Sequence, residues 1–67
     1  MAYSRIRDLR EHNHYTQKRI AELLHVSQAT YSRYESGALD IPIPALLVLA
    51  DFYDVWVDFL LGRMSKK

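Results

Sequence analysis

The sequence of 67 residues contains no cysteine, only two glycines, two prolines and a single tryptophan. Without cysteine the chain has neither a disulfide framework nor a thiolate metal site, which fits a reducing cytosol. It also lacks the run of about 18 apolar residues that a membrane-spanning helix requires. The N-terminal stretch MAYSRIRD lacks the apolar core of a secretion signal. We therefore expect a soluble, cytoplasmic protein with no membrane partner.

Length and composition predict one small globular domain that covers residues 1–67. A chain of this size buries roughly 60% of its unfolded surface, so its core is a single cluster. Apolar residues make up 49% of the chain and charged residues 25%, which is a globular composition. The sequence offers no nucleophile–base pair, and the two histidines His12 and His14 make a poor metal site without a carboxylate or thiolate nearby. We expect neither catalysis nor a cofactor, and no small-molecule ligand.

Charge is distributed unevenly along the chain, although the net charge is only +1. Residues 1–35 contain six Arg or Lys, four acids and all three histidines, whereas residues 36–62 contain four Asp and no basic residue. Three further basic residues lie between 63 and 67. This distribution predicts that a polyanion binds the first half, while the second half supplies the core and a protein partner.

The stretch TQKRIAELLHVSQATYSRYESG, residues 16–37, predicts two short helices around one tight turn. Apolar residues at 20, 23 and 24 form one stripe of a helix from about 17 to 24. Thr16 is the expected N-cap of this helix, and Ser27 is the expected N-cap of the next. The turn between them is too short for antiparallel packing, so the two helices must cross steeply.

The second of these helices has two chemically different faces. Tyr31 and Tyr34 share one side and are expected to pack, whereas a polar set shares the other side. An amide can pair bidentately with adenine, a guanidinium with guanine, and a methyl group can meet a thymine methyl. An ordinary solvated helix face is the alternative interpretation. We call the polar set the reading face; its members are Gln28, Ala29, Ser32 and Arg33.

The pattern TQ..IA.LL.VSQ.TYSRYE.G, followed by IP...L..LADFY.V..DFLLGR, resembles the phage-repressor helix-turn-helix family, also called the Cro and repressor-like or xenobiotic-response-element family. The resemblance extends from about residue 6 to residue 63. It implies an all-α, compact five-helix fold, with the helix-turn-helix at about 17–36, the third helix in the major groove and a C-terminal tail at 63–67. It also implies a DNA-binding transcriptional regulator, a repressor that binds an operator as a homodimer.

The resemblance implies roles for individual residues. The reading face contacts bases, while Gln17, Lys18 and Arg19 contact phosphates, with Gln17 also bracing Gln28. The two cations lie in the first turn of a helix, where the dipole disfavours them by a few tenths of a kcal/mol, and a bound phosphate would relieve this. Two solvated side chains that tolerate the penalty are the alternative.

The resemblance also implies a structural ion pair between Arg10 and Glu35, which joins the first helix to the third. Where this chain has His14 and His25, the family usually has glycine, so we expect a positive φ at both histidines. We expect the same left-handed conformation at Asp54.

The second half predicts two more helices. The sequence from about 44 to 53 is apolar almost all round, which predicts a central buried helix that begins at Pro44. A last helix is expected at about 56–61. Four large residues are surplus to the predicted core stripes, which makes them the expected dimer interface: Val48, Phe52, Trp56 and Phe59. In the alternative interpretation Trp56 and Phe59 simply cover the core. The alternative function is an antitoxin-like or adaptor module that binds another protein through the Trp56 and Phe59 surface.

Overall fold

The computed structural model describes residues 4–61 and contains five helices, with no strand in this range. The predicted tail, residues 63–67, lies outside the described residues. The all-α, five-helix fold expected from the sequence is confirmed. None of these helices is both long enough and apolar enough to cross a membrane. The helices are α1 (Ser4–His12), α2 (Gln17–Leu24), α3 (Gln28–Ser36), α4 (Ile43–Tyr53) and α5 (Val57–Leu60).

Side-chain caps start α2 and α3 where the sequence predicts them. The Thr16 hydroxyl accepts a hydrogen bond from the backbone N–H of Arg19 at 3.1 Å, and the Ser27 hydroxyl accepts one from the backbone N–H of Thr30 at 3.1 Å. Each bond satisfies an amide that has no partner within the first turn of its helix. Both predicted N-caps are confirmed.

Residues with a left-handed backbone conformation follow each of the first four helices. His14, His25 and Asp54 have φ values of 62°, 59° and 56°, and Gly37 ends α3 at 83°. The predicted positive φ is confirmed at all three non-glycine positions. Histidine and aspartate tolerate this conformation better than bulkier or branched residues do, so the chain keeps these turns without the glycine that would fit them best.

The core forms where α2 packs on α3, α4 packs on α5, and α1 contacts both α3 and α5. Two buried residues that the helical stripes did not predict are Ile41 and Val55, which lie in the loops on either side of α4. A stripe argument cannot find them because loop residues follow no helical period. The buried apolar residues are Ile6, Ile20, Ala21, Tyr31, Tyr34, Ile41, Leu46, Leu49, Ala50, Val55 and Leu60.

Helix α4 departs from the prediction in two ways. It begins at Ile43, one residue before the predicted start, so that Pro42 is the N-cap residue and Pro44 occupies the second helical position. It is also not buried all round, because Ile43 is 64% exposed and Leu47 is 56% exposed. The physical reason is size: the rest of so small a domain covers only one side of α4, so an apolar residue on its far side meets solvent.

Two of the four residues predicted to be surplus to the core in fact pack against it. Phe52 is half-buried, and its ring centroid lies 5.3 Å from that of Tyr15. Phe59 is also half-buried, and the guanidinium of Arg5 lies 4.8 Å above its ring. Trp56, in contrast, is 63% exposed. The prediction that Phe52 and Phe59 are surplus to the core is therefore wrong. Tyr15, in the loop before α2, contacts Phe52, and Arg5, in α1, contacts Phe59.

Candidate nucleic-acid interface

Helix α3 turns its reading face away from the core. Tyr31 and Tyr34 are buried on the opposite side, where their rings meet edge to face. On the reading face Gln28, Ala29 and Arg33 are exposed and Ser32 is half-buried. Among residues 4–61, the side chains of Gln28 and Arg33 have no hydrogen-bond or ion-pair partner, so both remain available to a ligand.

The start of α2 adds positive charge. Lys18 and Arg19 are both exposed, and neither pairs with an acid in the part of the chain that the structure describes. The first turn of α2 contains no acidic residue. Two cations thus lie beside the positive end of a helix dipole with no acid in the same turn, an arrangement that an anion stabilises.

Gln17 behaves differently from its two neighbours. Its side chain is half-buried, and Nε2 donates to Oε1 of Glu35 at 3.2 Å. Among the described residues Gln17 makes no hydrogen bond to Gln28, so the bracing contact that the resemblance implied stays a prediction. The amide is instead turned inward, toward the end of α3.

Glu35 is the centre of a polar network beneath the reading face. It is 3% exposed, and Arg10 donates to both carboxylate oxygens, from Nε to Oε2 at 2.6 Å and from Nη2 to Oε1 at 3.2 Å. The remaining terminal nitrogen of Arg10, Nη1, donates to the backbone oxygen of Tyr15 at 2.9 Å. The structure thus contains the Arg10–Glu35 pair that the resemblance implied, and it extends the pair to the α1–α2 loop.

The network determines how its members ionise. Burial alone would raise the pKa of Glu35, but the hydrogen bonds from Arg10 and Gln17 outweigh it and hold that pKa below its usual value. The hydrogen bond to Glu35 in turn raises the pKa of Arg10. Burial and the nearby carboxylate raise the pKa of Tyr31, although its hydroxyl does not reach hydrogen-bonding geometry. At neutral pH Glu35 and Arg10 are therefore both charged and form an ion pair.

An apolar groove lies on another part of the surface. Its volume is about 250 Å³, and it separates the helix-turn-helix turn from the start of α4. The lining includes no residue of the reading face and no acid. Residues 4–61 contain no group of three His, Cys, Asp or Glu side chains that could hold a metal ion. The groove is lined by Leu23, Leu24, His25, Val26, Tyr34, Pro42, Pro44, Ala45 and Val48.

The order of the elements, a capped helix, a left-handed turn and a second capped helix with a polar outer face, is that of a helix-turn-helix. A family profile described as helix-turn-helix matches residues 6–60, nearly the whole described chain. The chain belongs to the Cro/C1-type helix-turn-helix family.

Relatives of this helix-turn-helix protein in Bacillus subtilis (strain 168) are named as regulators. The chain is 37% identical over 67 residues to the HTH-type transcriptional regulator AnsR, a match that covers 100% of this chain and 58% of AnsR. It is 38% identical over 65 residues to the HTH-type transcriptional regulator ImmR, covering 94% of this chain and 51% of ImmR. The chain thus spans about half the length of these relatives. No solved structure gives a significant match.

Sequence reasoning missed two members of the network in this helix-turn-helix protein. Gln17 was predicted to contact phosphate, and no role was predicted for Arg7, whose Nε lies 3.9 Å from Oε1 of Glu35. Arg7 precedes Arg10 by three residues, so both lie on one face of α1. This spacing was the available signal. No comparable signal in the sequence connects Gln17 to Glu35, 18 residues away.

Proposed function

We propose that this chain binds double-stranded DNA at specific sequences and regulates transcription as a repressor, with α3 in the major groove. The observation that carries the proposal is the reading face, where Gln28 and Arg33 are exposed on a capped helix on the side opposite the buried tyrosines. The names of the relatives support the same class of function.

The four members of the reading face divide the work by chemistry. Gln28 pairs with adenine and Arg33 with guanine, because each presents a fork of polar atoms that matches one base edge. Ala29 and Ser32 are short, so they allow the helix to approach the bases, where a methyl group meets thymine and a hydroxyl bonds to either base edge. Phosphate contacts come from the start of α2, through Lys18, Arg19 and the backbone of Gln17.

We also propose that the protein acts as a homodimer. One domain offers too few base contacts to select a site in a genome, and a two-fold axis doubles them. The predicted interface keeps Val48 and Trp56, which are 41% and 63% exposed. The exposed residues Ile43 and Leu47 enlarge the apolar surface, while Phe52 and Phe59 support it from the core side. The operator is then a near-palindrome with half-site centres about 10–10.5 base pairs apart.

An adaptor or antitoxin-like module is the second candidate, because Trp56 and Leu47 expose apolar surface that a different protein could cover. The cations Lys18, Arg19 and Arg33, which have no acidic partner within residues 4–61, favour DNA over a protein partner. We also propose that the protein acts in the cytoplasm, and the proposed mechanism uses no cofactor or small-molecule ligand.

Selection of bound sequences from a random pool of duplex DNA tests the proposal. We expect enrichment of one near-palindromic motif. Replacing Gln28 or Arg33 by Ala should then cost about 1–3 kcal/mol on that motif and less on random DNA, because only base contacts are lost. If the parent protein enriches no motif, or if both variants keep its base preferences, α3 does not read DNA.

A further inference from the structure

The side chain of Gln17 lies between two of the elements that a DNA-binding role requires. It is the first residue of α2, and its amide donates at 3.2 Å to Glu35, the penultimate residue of α3. Its neighbours Lys18 and Arg19 point into solvent, whereas Gln17 is half-buried. An outward phosphate contact is therefore a poor description of its side chain.

The Gln17–Glu35 bond means that α2 and α3 are connected at both of their ends. The turn from His25 to Ser27 joins the end of α2 to the start of α3, and the Gln17–Glu35 bond joins the start of α2 to the end of α3. Among the described residues, this bond links the side chains of α2 and α3 directly, whereas Arg10 ties the end of α3 to α1 and the core holds Tyr31 and Tyr34. Those other contacts limit any rotation of α3 about the turn to a few degrees, and the Gln17–Glu35 bond fixes the crossing angle within that range.

We propose that Gln17 is a positioning residue that fixes the angle of α3 against α2 through Glu35, and that base discrimination depends on its side-chain amide. The inference rests on the proposed DNA-binding function. It predicts an unequal effect along the reading face, since a pivot moves the far end of a helix more than the near end.

The distance of each residue from the turn determines how far a rotation of α3 displaces it. Gln28 follows the turn directly, whereas Arg33 lies six residues beyond Ser27, about 9 Å along the axis at 1.5 Å per residue. A pivot of about 5° displaces Arg33 by roughly 0.8 Å and Gln28 by roughly 0.1 Å over that rise. Bidentate contacts tolerate only about 0.5 Å, so the base read by Arg33 loses discrimination while the base read by Gln28 keeps it.

Removal of the Gln17 amide leaves the rest of the network in place. Oε1 of Glu35 keeps its bond from Nη2 of Arg10, and Oε2 keeps its 2.6 Å bond from Nε of Arg10. No charge is lost and no ion is left alone. The variant should consequently fold, which separates positioning from stability.

The test compares Gln17→Met, which keeps length and neutrality but removes the donor, with the parent protein and with Lys18→Met as the matched control at the neighbouring exposed position. Each folded variant, checked by helicity and thermal midpoint, is measured on the selected motif and on motifs changed at one base. For Gln17→Met we expect a three- to tenfold loss of discrimination at the Arg33 base, unchanged discrimination at the Gln28 base, and unchanged affinity for random DNA. Lys18→Met should show the opposite, a reduced slope with base preferences intact.

A rescue variant makes the test sharper. Gln17→Lys restores a donor that can reach Glu35, so it should regain discrimination at the Arg33 base. An equal loss of affinity for every DNA sequence in Gln17→Met, with base preferences intact, would show a direct phosphate contact and overturn the inference. Equal loss at both bases, or no loss at either, would also overturn it. A parent protein that selects no motif would instead refute the proposed function.

Discussion

Replacing Arg10 by Met tests how the buried Glu35 carboxylate is stabilised. The side chain of Glu35 is 2% exposed, and the substitution removes two of its three hydrogen bonds. Removal of one partner of a buried ion pair costs about 3–5 kcal/mol, because the other charge is left without compensation. Arg7 keeps its Nε 3.9 Å from Oε1 of Glu35 and Gln17 keeps its hydrogen bond, so some compensation remains and we expect the lower end, about 3 kcal/mol.

That loss is a large part of the total free energy of unfolding. At about 0.05–0.15 kcal/mol per residue, a domain of this length has roughly 3–10 kcal/mol in all. A loss of about 3 kcal/mol leaves roughly 0–7 kcal/mol, so Arg10→Met should unfold at a clearly lower urea concentration than the parent protein. Urea titration followed by circular dichroism at 222 nm measures the loss directly.

The dependence on pH gives the decisive result, because its sign differs between the two proteins. In the parent, the pKa of Glu35 is held below its unfolded value of about 4.3, so the stabilisation is present above pH 4.3 and is lost as the pH falls through the folded pKa. Without Arg10, burial dominates and raises that pKa above 4.3. At neutral pH the buried, charged Glu35 then lowers the free energy of unfolding of the variant. As the pH falls, Glu35 takes up a proton and this destabilisation decreases. The difference in stability between the two proteins should narrow from pH 7 toward pH 4.

A double variant provides the control. Arg10→Met combined with Glu35→Leu removes the stranded charge, so it should recover most of the stability lost in Arg10→Met alone. The reasoning is refuted if the double variant is no more stable than the single one, or if the single variant loses less than about 1 kcal/mol at every pH.

Three shorter predictions concern other parts of the molecule. Lys18→Ala should weaken binding to all DNA sequences and reduce the salt slope by roughly 0.9, and an unchanged slope in a salt titration would argue against a phosphate contact there. His25→Gly should relieve about 1–2 kcal/mol of left-handed strain against a backbone entropy cost of about 0.5–1, a net gain that raises the thermal midpoint by a few degrees; a lower midpoint would show that the His25 side chain contributes more than its strain costs. Leu47→Glu should lower affinity for the full operator much more than for a half-site, and equal losses with helicity retained would place the dimer interface elsewhere.

Local features of this fold could be predicted from the sequence because their causes are local. The caps at Thr16 and Ser27 depend on one hydroxyl and an amide three residues away. The left-handed histidines His14 and His25 follow from the resemblance and from the few residue types that accept a positive φ. The inward and outward sides of α3 follow from the helical period alone, since its tyrosines and its polar residues lie on opposite sides.

Contacts between distant parts of the chain could not be predicted in the same way. Helix α4 has an almost uniformly apolar sequence, so its period does not show that Ile43 and Leu47 face solvent. Phe52 finds a partner in Tyr15 and Phe59 finds one in Arg5, both more than 35 positions away in the sequence. Gln17 turns inward because Glu35 is there to accept its hydrogen bond, and only the packed structure brings the two together.

The exposed indole of Trp56 is an intrinsic fluorescence probe of the surface around it. Trp56 is the only tryptophan in the chain, so all tryptophan fluorescence comes from one position between α4 and α5. An indole that is 63% exposed emits at long wavelength, and its emission moves to shorter wavelength when another surface covers it. The residues that we assign to DNA lie in α2 and α3, which contain no tryptophan. Emission followed during dilution or titration therefore reports assembly at the α4–α5 surface without any added label.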